Sequence, residues 1–295
     1  MLDYKECFKQ CYTIRAFEKK IEEEFGKGNM RGTTHGCIGQ EVIPVIVMNY
    51  INQETDYIVG THRCHGQVLA YDMDPYRLFC EMMGRRDGFV NGMGGSQHIK
   101  NRKFLTNGIT GGMVVVGNGI AMSIKKNHKQ GIVVSFLGDG GFNEGFVQET
   151  FNLASHYELP ILFVCENNHY AMSTPTEKFS AGTFKRRIQA LDIKYYQAYS
   201  GDVEQLDEMI GLGTAFVRNE QKPAFIEVST ARLCGHSKSD KMEYMSSSEK
   251  NHNAKKDPLK FISGKLMEDE IEELKCHINE TIKDAYVRAD KCPEM

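Results

Sequence analysis

Asp139 stands between glycines at the end of an apolar run, in "SFLGDGGFNEGF", and Asn167 and Asn168 close a second apolar run, "ILFVCENN". A carboxylate and an amide oxygen are hard oxygen ligands suited to Mg²⁺ or Ca²⁺, and Mg²⁺ commonly completes its shell of six oxygens with phosphates. Glycines beside the acid let an ion or a phosphate approach the backbone, although Gly-Asp-Gly is also an ordinary turn sequence. The wider spacing favours the ligand reading: GDG, then 26 residues, then Asn-Asn, with a buried-strand pattern before each. The histidines offer a competing site. His62 and His65 stand three apart, a spacing that could ligate zinc on a helix, but no cysteine is suitably placed to complete it.

These groups need elements to position them. "GIVVSFLG" and "ILFVCENN" are continuous apolar runs, as expected of strands buried on both faces. Between them, Phe146, Val147, Thr150, Phe151 and Ala154 fall on one face of a helix. Strand, helix and strand form a right-handed βαβ unit with parallel strands. Ligands of open parallel sheets bind beyond the carboxyl ends of the strands, so Asp139 and Asn168, 29 residues apart, are predicted neighbours in space. A helix starting near Asn143 would turn its N-terminal amides toward a bound anion.

Elsewhere, Phe8, Cys11, Ile14, Phe17, Ile21 and Phe25 recur at helical spacing, and "GMVVVGNGIAMSIKK" reads as a closely packed small-residue helix. "AFIEVSTARL" supplies another strand, and Asp257-Pro258 looks like an N-cap followed by proline at the first helical position. A terminal helix follows, with Ile271, Leu274, Ile278, Ile282 and Ala285 on one face. The glycine-studded stretch from Gly88 to Gly112 is too long for an ordinary connection, so it is expected to be functional or disordered. The expected fold is α/β, a mostly parallel central sheet flanked by helices. Residues 1–295 read as a single domain with an N-terminal helix and a C-terminal helical extension. A polar stretch, 237–256, is expected to be a mobile loop, as is the segment around "TPTEKFSAGTFKRR".

With 41% hydrophobic and 25% charged residues the composition is that of a soluble globular protein. A net charge of −3 favours neither nucleic-acid nor membrane-surface binding, since general binders of either kind usually show a strong basic excess. Nine scattered cysteines without a CxxC pair read as free thiols in a reducing compartment, and a cytoplasmic location is expected. No run approaches the ~20 apolar residues that span a bilayer.

The blocks "RGTTHGCIGQE", "HRCHG", "GMGGSQH", "NGITGG", "GDGGFNEG", "ENNHYAMSTP" and "RLCGHS" stand in an order that resembles the alpha subunit of the thiamine diphosphate-dependent 2-oxo acid dehydrogenases, over roughly residues 5 to 240. This group includes pyruvate, branched-chain and acetoin dehydrogenase components. The resemblance implies the thiamine diphosphate-binding fold, in its diphosphate-binding half, with thiamine diphosphate and Mg²⁺ as cofactors. It implies that Asp139, Asn168 and the carbonyl of Tyr170 hold the metal. His62, Arg63, Gly108, Thr110, Gly140, Gly141 and His236 would contact the cofactor, together with Asp139 and Asn168. His35, His65 and His236 would handle protons and the substrate carbonyl or carboxylate.

The resemblance further implies a separate beta subunit, supplying the glutamate that activates the cofactor, in an αβ pair that is usually doubled to a heterotetramer. The expected activity is that of a 2-oxo acid (pyruvate-like) or acetoin dehydrogenase passing an acyl or aldehyde unit to a lipoyl-bearing acyltransferase. Two departures bear on this. His62 stands where pyruvate-type members often have tyrosine and acetoin-type members often have histidine. Tyr244 lacks the adjacent arginine that helps present the loop to a lipoyl domain, which keeps a non-oxidative lyase or carboligase in view. A non-catalytic paralogue is disfavoured by the intact metal and phosphate motifs.

Overall fold

The computed structural model describes residues 2–30 and 32–295. Met1 and Arg31, the first residue of the "RGTTHGCIGQE" block, lie outside the described residues. The chain forms two compact units: residues 49–61 with 102–231, and the described residues up to 48 with 62–101 and 232–295. It passes between the units several times, so the division is interleaved and leaves no linker in the sequence.

The first of these units carries six strands of the central sheet: β1 (Tyr57–Val59), β2 (Phe104–Leu105), β3 (Val133–Gly138), β4 (Ile161–Asn167), β5 (Lys194–Tyr199) and β6 (Ala224–Ser229). They lie in the order β2-β1-β3-β4-β6-β5, every neighbouring pair parallel. Every residue of β4 is buried, as its unbroken apolar run requires of a strand covered on both faces. β5, at the edge, has no clear sequence signal: "KYYQAY" alternates too weakly, and only Ala198 is fully buried. The helix Gly145–His156 crosses from β3 to β4 and buries Val147, Thr150, Phe151 and Ala154; Phe146, expected on the same face, is exposed. The small-residue helix Gly112–Lys126 packs as closely as expected. A Cβ on Gly117 would stand 2.9 Å from the Val59 side chain.

An aromatic cluster fixes the end of β3. Phe142, three residues beyond Asp139, lies 4.0 Å in ring-centroid distance from Phe184 and 5.5 Å from Phe151. Truncating a fully buried aromatic ring costs roughly 3–5 kcal/mol. The loop that bears Asp139 is thus anchored by the core of its own unit.

The second unit is built on helices. Tyr4–Gly26 starts at Asp3, whose carboxylate accepts from the Glu6 amide at 3.0 Å, and it buries Phe8, Cys11, Ile14, Phe17 and Ile21. It also buries Arg15, Glu18 and Glu24, which an apolar period does not reveal. Arg15 pairs with Glu41 and donates twice to Asp257, at 3.0 Å each. Asp257 caps the helix Pro258–Ser263 as expected, its carboxylate accepting from the Leu259 amide. The terminal helix Glu268–Lys291 packs on Tyr4–Gly26 and on Pro75–Met82, and it buries Ile278, Ile282, Ala285 and Tyr286. Ile271 and Leu274, expected on the same buried face, are only partly covered.

The glycine-rich stretch is ordered around one side chain. The buried Glu81 carboxylate accepts from the amides of Val90 (2.7 Å), Gly92 (3.1 Å) and Gly94 (2.6 Å). Within 237–256, Ser247–Lys255 is a helix capped by Ser246, with no buried residue. Among the described residues no helix is long and apolar enough to cross a membrane.

Candidate active site

The residues singled out in the sequence fall into two sets, one in each unit. In the sheet unit, Gly138 of β3 pairs with Glu166 of β4, so Asp139 and Asn168 leave neighbouring strand ends. Asp139 is buried; its Oδ1 accepts from the Gly140 amide at 3.0 Å, and its other oxygen accepts from the Thr176 hydroxyl. Asn168 is half-buried, and its Oδ1 accepts from the Tyr170 amide at 3.3 Å. Between them His169 adopts a left-handed conformation, φ 66°, which turns the chain sharply into the hairpin Tyr170–Ala171/Thr174–Pro175. Asn167 is held by its own unit instead. Its amide donates to Glu227 at 2.8 Å, and its side-chain oxygen accepts from the His169 amide.

The glycines differ in what they leave open. A Cβ on Gly138 would meet nothing within 4 Å, which leaves space beside the Asp139 backbone. A Cβ on Gly140 would come 3.1 Å from Ala171, so that glycine already answers to its own protein. Gly141 faces the amide of Gly111 and the methyl of Thr110 at ordinary contact distance, which brings the loop carrying Gly108 and Thr110 against the GDGG turn. The expected helix near Asn143 is replaced by two pieces. Asp139–Phe142 is a separate helical turn, and the long helix starts only at Gly145, because Glu144 is extended at φ −64°, ψ 134°. A carboxylate, an amide oxygen and open space beside a glycine fit a hard divalent cation with phosphate oxygens.

In the helical unit, His35, His62 and His236 converge. Ring centroids lie 4.7 Å apart for His35–His62, 4.8 Å for His35–His236 and 5.7 Å for His62–His236. Gln97 meets His35 Nδ1 at 2.9 Å, while Arg63 and Arg232 approach His236 Nδ1 at 3.3 and 3.5 Å. Burial, and then the positive charge of Arg63, push all three imidazoles down: His35 to about 3, His62 to about 2 and His236 to about 4. They are neutral at pH 7, ready to accept or donate hydrogen bonds without carrying charge. A cavity of about 540 Å³ opens beside His35 and is lined also by Thr33, Ser96, Gln97 and His98.

His65 is not in this cluster. Its ring is fully buried, with Nδ1 3.0 Å from Glu18 and Nε2 2.8 Å from the Ser96 hydroxyl. Burial would raise Glu18, but His65 and Lys238 hold it down at about 2. The zinc-compatible pair His62 and His65 is therefore split, the two rings serving different neighbours. Sequence reasoning missed Gln97, Ser96, Glu18 and Thr176, whose partners lie far away in the chain. Arg232 and Ser96 stand within recognisable blocks, and only the fold shows what they touch.

Comparison with known proteins matches residues 9–295 to the family described as dehydrogenase E1 component. The chain belongs to that family. It is 31% identical over 304 aligned positions to the pyruvate dehydrogenase E1 component subunit alpha of Rickettsia bellii, covering 99% of this chain and 92% of the relative. The Rhizobium meliloti protein of that name is 31% identical, covering 99% and 87%. The somatic mitochondrial form of Bos taurus is 30% identical, covering 97% and 75%. As an E1 component of the alpha type the chain is an enzyme subunit, an oxidoreductase. The Tyr244 that lacks an arginine beside it in sequence has one in space: Arg232 donates to its hydroxyl, which donates to Asp240 at 2.7 Å.

Proposed function

We propose that this E1 chain is the alpha subunit of a thiamine diphosphate- and Mg²⁺-dependent 2-oxo acid dehydrogenase acting on pyruvate or a close analogue. Similarity to relatives named pyruvate dehydrogenase supports the 2-oxo acid. His62, standing where acetoin-type members often have histidine, supports acetoin as the alternative substrate. The observation that carries the reading is the β3–β4 register, which sends Asp139 and Asn168 from adjacent strand ends in a chain of this family.

Asp139, Asn168 and the Tyr170 carbonyl would hold Mg²⁺, and the open side of Gly138 leaves room for phosphate oxygens. When bound, thiamine diphosphate supplies a nucleophilic carbon and an electron sink for cleaving a bond next to a carbonyl. Gly108, Thr110, Gly140 and Gly141 would border the cofactor, and His62, Arg63 and His236 would hydrogen-bond its phosphates. His35 and His236 would hydrogen-bond the substrate oxygens as neutral imidazoles, with Gln97 holding the His35 ring. His65 is assigned to proton handling through the Glu18–His65–Ser96 chain rather than by direct contact.

A beta subunit completes the site in an αβ pair, doubled to a heterotetramer, and a lipoyl-bearing acyltransferase receives the acyl unit. Nine free cysteines support a reducing, cytoplasmic setting. The test is to co-produce the chain with its beta partner and offer pyruvate, branched 2-oxo acids and acetoin with an artificial electron acceptor. Cofactor-dependent dye reduction with one of them is expected. A carboligated product without dye reduction would replace the dehydrogenase by a lyase or carboligase.

A further inference from the structure

We propose that Thr176 is a positioning residue that makes the Asp139 site selective for Mg²⁺ over Ca²⁺, by holding one oxygen of the metal-binding carboxylate. The inference rests on the reading of Asp139 and Asn168 as ligands of the ion. The Thr176 hydroxyl donates to Oδ2 of the buried Asp139, and the Gly140 amide donates to Oδ1 at 3.0 Å. Each carboxylate oxygen thus accepts a hydrogen bond within the sheet unit, and the plane of the group is set before any ion arrives. Main-chain bonds hold Thr176 in turn. Its amide donates to the His169 carbonyl at 2.9 Å, and its carbonyl accepts from the amides of Phe179 at 3.2 Å and Ser180 at 2.9 Å. His169 lies between Asn168 and Tyr170, the other two expected ligands. One residue therefore ties the loop after β3, through its side chain, to the loop after β4, through its backbone.

Ion size decides what this arrangement favours. Mg²⁺ demands a near-ideal octahedron at about 2.0–2.1 Å, and the two oxygens of one carboxylate stand too close together to fill two of its corners. Ca²⁺ takes about 6–8 oxygens at roughly 2.3–2.6 Å in a flexible shell, and it accepts a carboxylate through both oxygens. A carboxylate whose Oδ2 is engaged by Thr176 offers an ion one oxygen, which suits Mg²⁺. Capture of both oxygens by Ca²⁺ has to break the Thr176 hydrogen bond first. Outer-shell partners of this kind commonly account for about 10–100-fold in metal affinity. The turn itself is fastened separately. The Ser180 hydroxyl donates to Asn143 Oδ1 at 3.2 Å, and the Asn143 amide donates to the Asp139 carbonyl at 3.2 Å. Removing the Thr176 hydroxyl therefore frees the carboxylate without unfastening the backbone that carries it.

The test is calorimetric titration of Mg²⁺, and separately of Ca²⁺, into the co-produced αβ pair with thiamine diphosphate in excess. Wild type should prefer Mg²⁺; equal or tighter binding of Ca²⁺ overturns the proposal. Thr176→Val, which keeps the side-chain shape and removes the hydroxyl, should weaken Mg²⁺ about 10–100-fold and cut the Mg²⁺-to-Ca²⁺ affinity ratio about tenfold. Thr176→Ser, which keeps a hydroxyl, should hold the wild-type ratio. A merely structural role would weaken both ions alike. An unchanged ratio in an assembled Thr176→Val pair therefore overturns the role of Thr176 and leaves the metal reading standing. Wild type that binds no cofactor with Mg²⁺ overturns both. If Thr176→Val does not assemble, a crystal structure of the wild-type pair with Mg²⁺ and thiamine diphosphate decides. One Asp139 oxygen on the ion and the other on Thr176 supports the proposal. Both oxygens on the ion, or a Thr176 hydroxyl turned away from Asp139, overturns it.

Discussion

Lowering the pH from 7 to 5 should cost the folded chain about 4 kcal/mol at the histidine cluster alone. In the unfolded chain His35, His62 and His236 take up protons near their ordinary value of 6.5, while in the fold they resist until about 3, 2 and 4. The unfolded state therefore binds more protons throughout this window, and stability falls as the pH falls below 6.5. A group kept neutral at pH 5 forfeits about 2 kcal/mol relative to pH 7, from about 1.4 kcal/mol per unit over the 1.5 units below 6.5. His35, 8% exposed, is credited with that full amount. His62 and His236 are half-buried and are discounted by half for solvent screening, to about 1 kcal/mol each. Against a usual total of about 5–15 kcal/mol, such a loss is readily measured.

The assay is urea unfolding at pH 7 and pH 5 at matched ionic strength, for the wild-type chain and for His35→Phe. Carboxylates titrate in both proteins, so the difference between their pH losses isolates His35. The variant should lose about 2 kcal/mol less than wild type. Equal pH losses in the two proteins would refute the reasoning, because His35 would then bind protons alike in both states.

Three further substitutions test how the site is supported. Gly111→Ala puts a Cβ at φ 74° and 2.6 Å from Val147, so strain and overpacking together should cost about 2–4 kcal/mol in thermal unfolding. Gly145→Ala, whose Cβ would meet nothing within 4 Å, should cost nothing or add up to about 1 kcal/mol, and equal effects of the two would contradict the packing argument. Arg218 donates to the fully buried Asp56 at 3.1 and 2.8 Å, and Asp56 also accepts from the Ile132 amide ahead of β3. Arg218→Ala should lower the urea-derived stability by about 3–5 kcal/mol, and a loss below about 1 would mean that neutral donors suffice for this carboxylate.

β3, β4 and the helix between them are legible in the sequence because a strand covered on both faces must be apolar throughout, as "ILFVCENN" very nearly is. Asp139 and Asn168 can be paired from the sequence since parallel topology brings consecutive strand ends together. Tertiary partners of buried polar groups leave no such trace. Glu18 looks like one acid among several in "FEKKIEEEF", and only the fold reveals it between His65, Lys238 and the Cys37 amide. The grouping of His62 with His35 and His236 instead of His65 joins three distant segments, which local spacing cannot encode. The helix Ser247–Lys255 reads as loop because it buries nothing; its local sequence signals are the cap at Ser246 with Glu249 three residues on, and basic residues in the last turn.

The most direct test of the central claim is calorimetric titration of thiamine diphosphate with Mg²⁺ into the co-produced αβ pair, comparing wild type with Asp139→Ala. The wild type should show saturable, Mg²⁺-dependent binding, and the variant should lose it with the pair still assembled. Binding of the same affinity in Asp139→Ala would contradict the assignment of Asp139 to the metal.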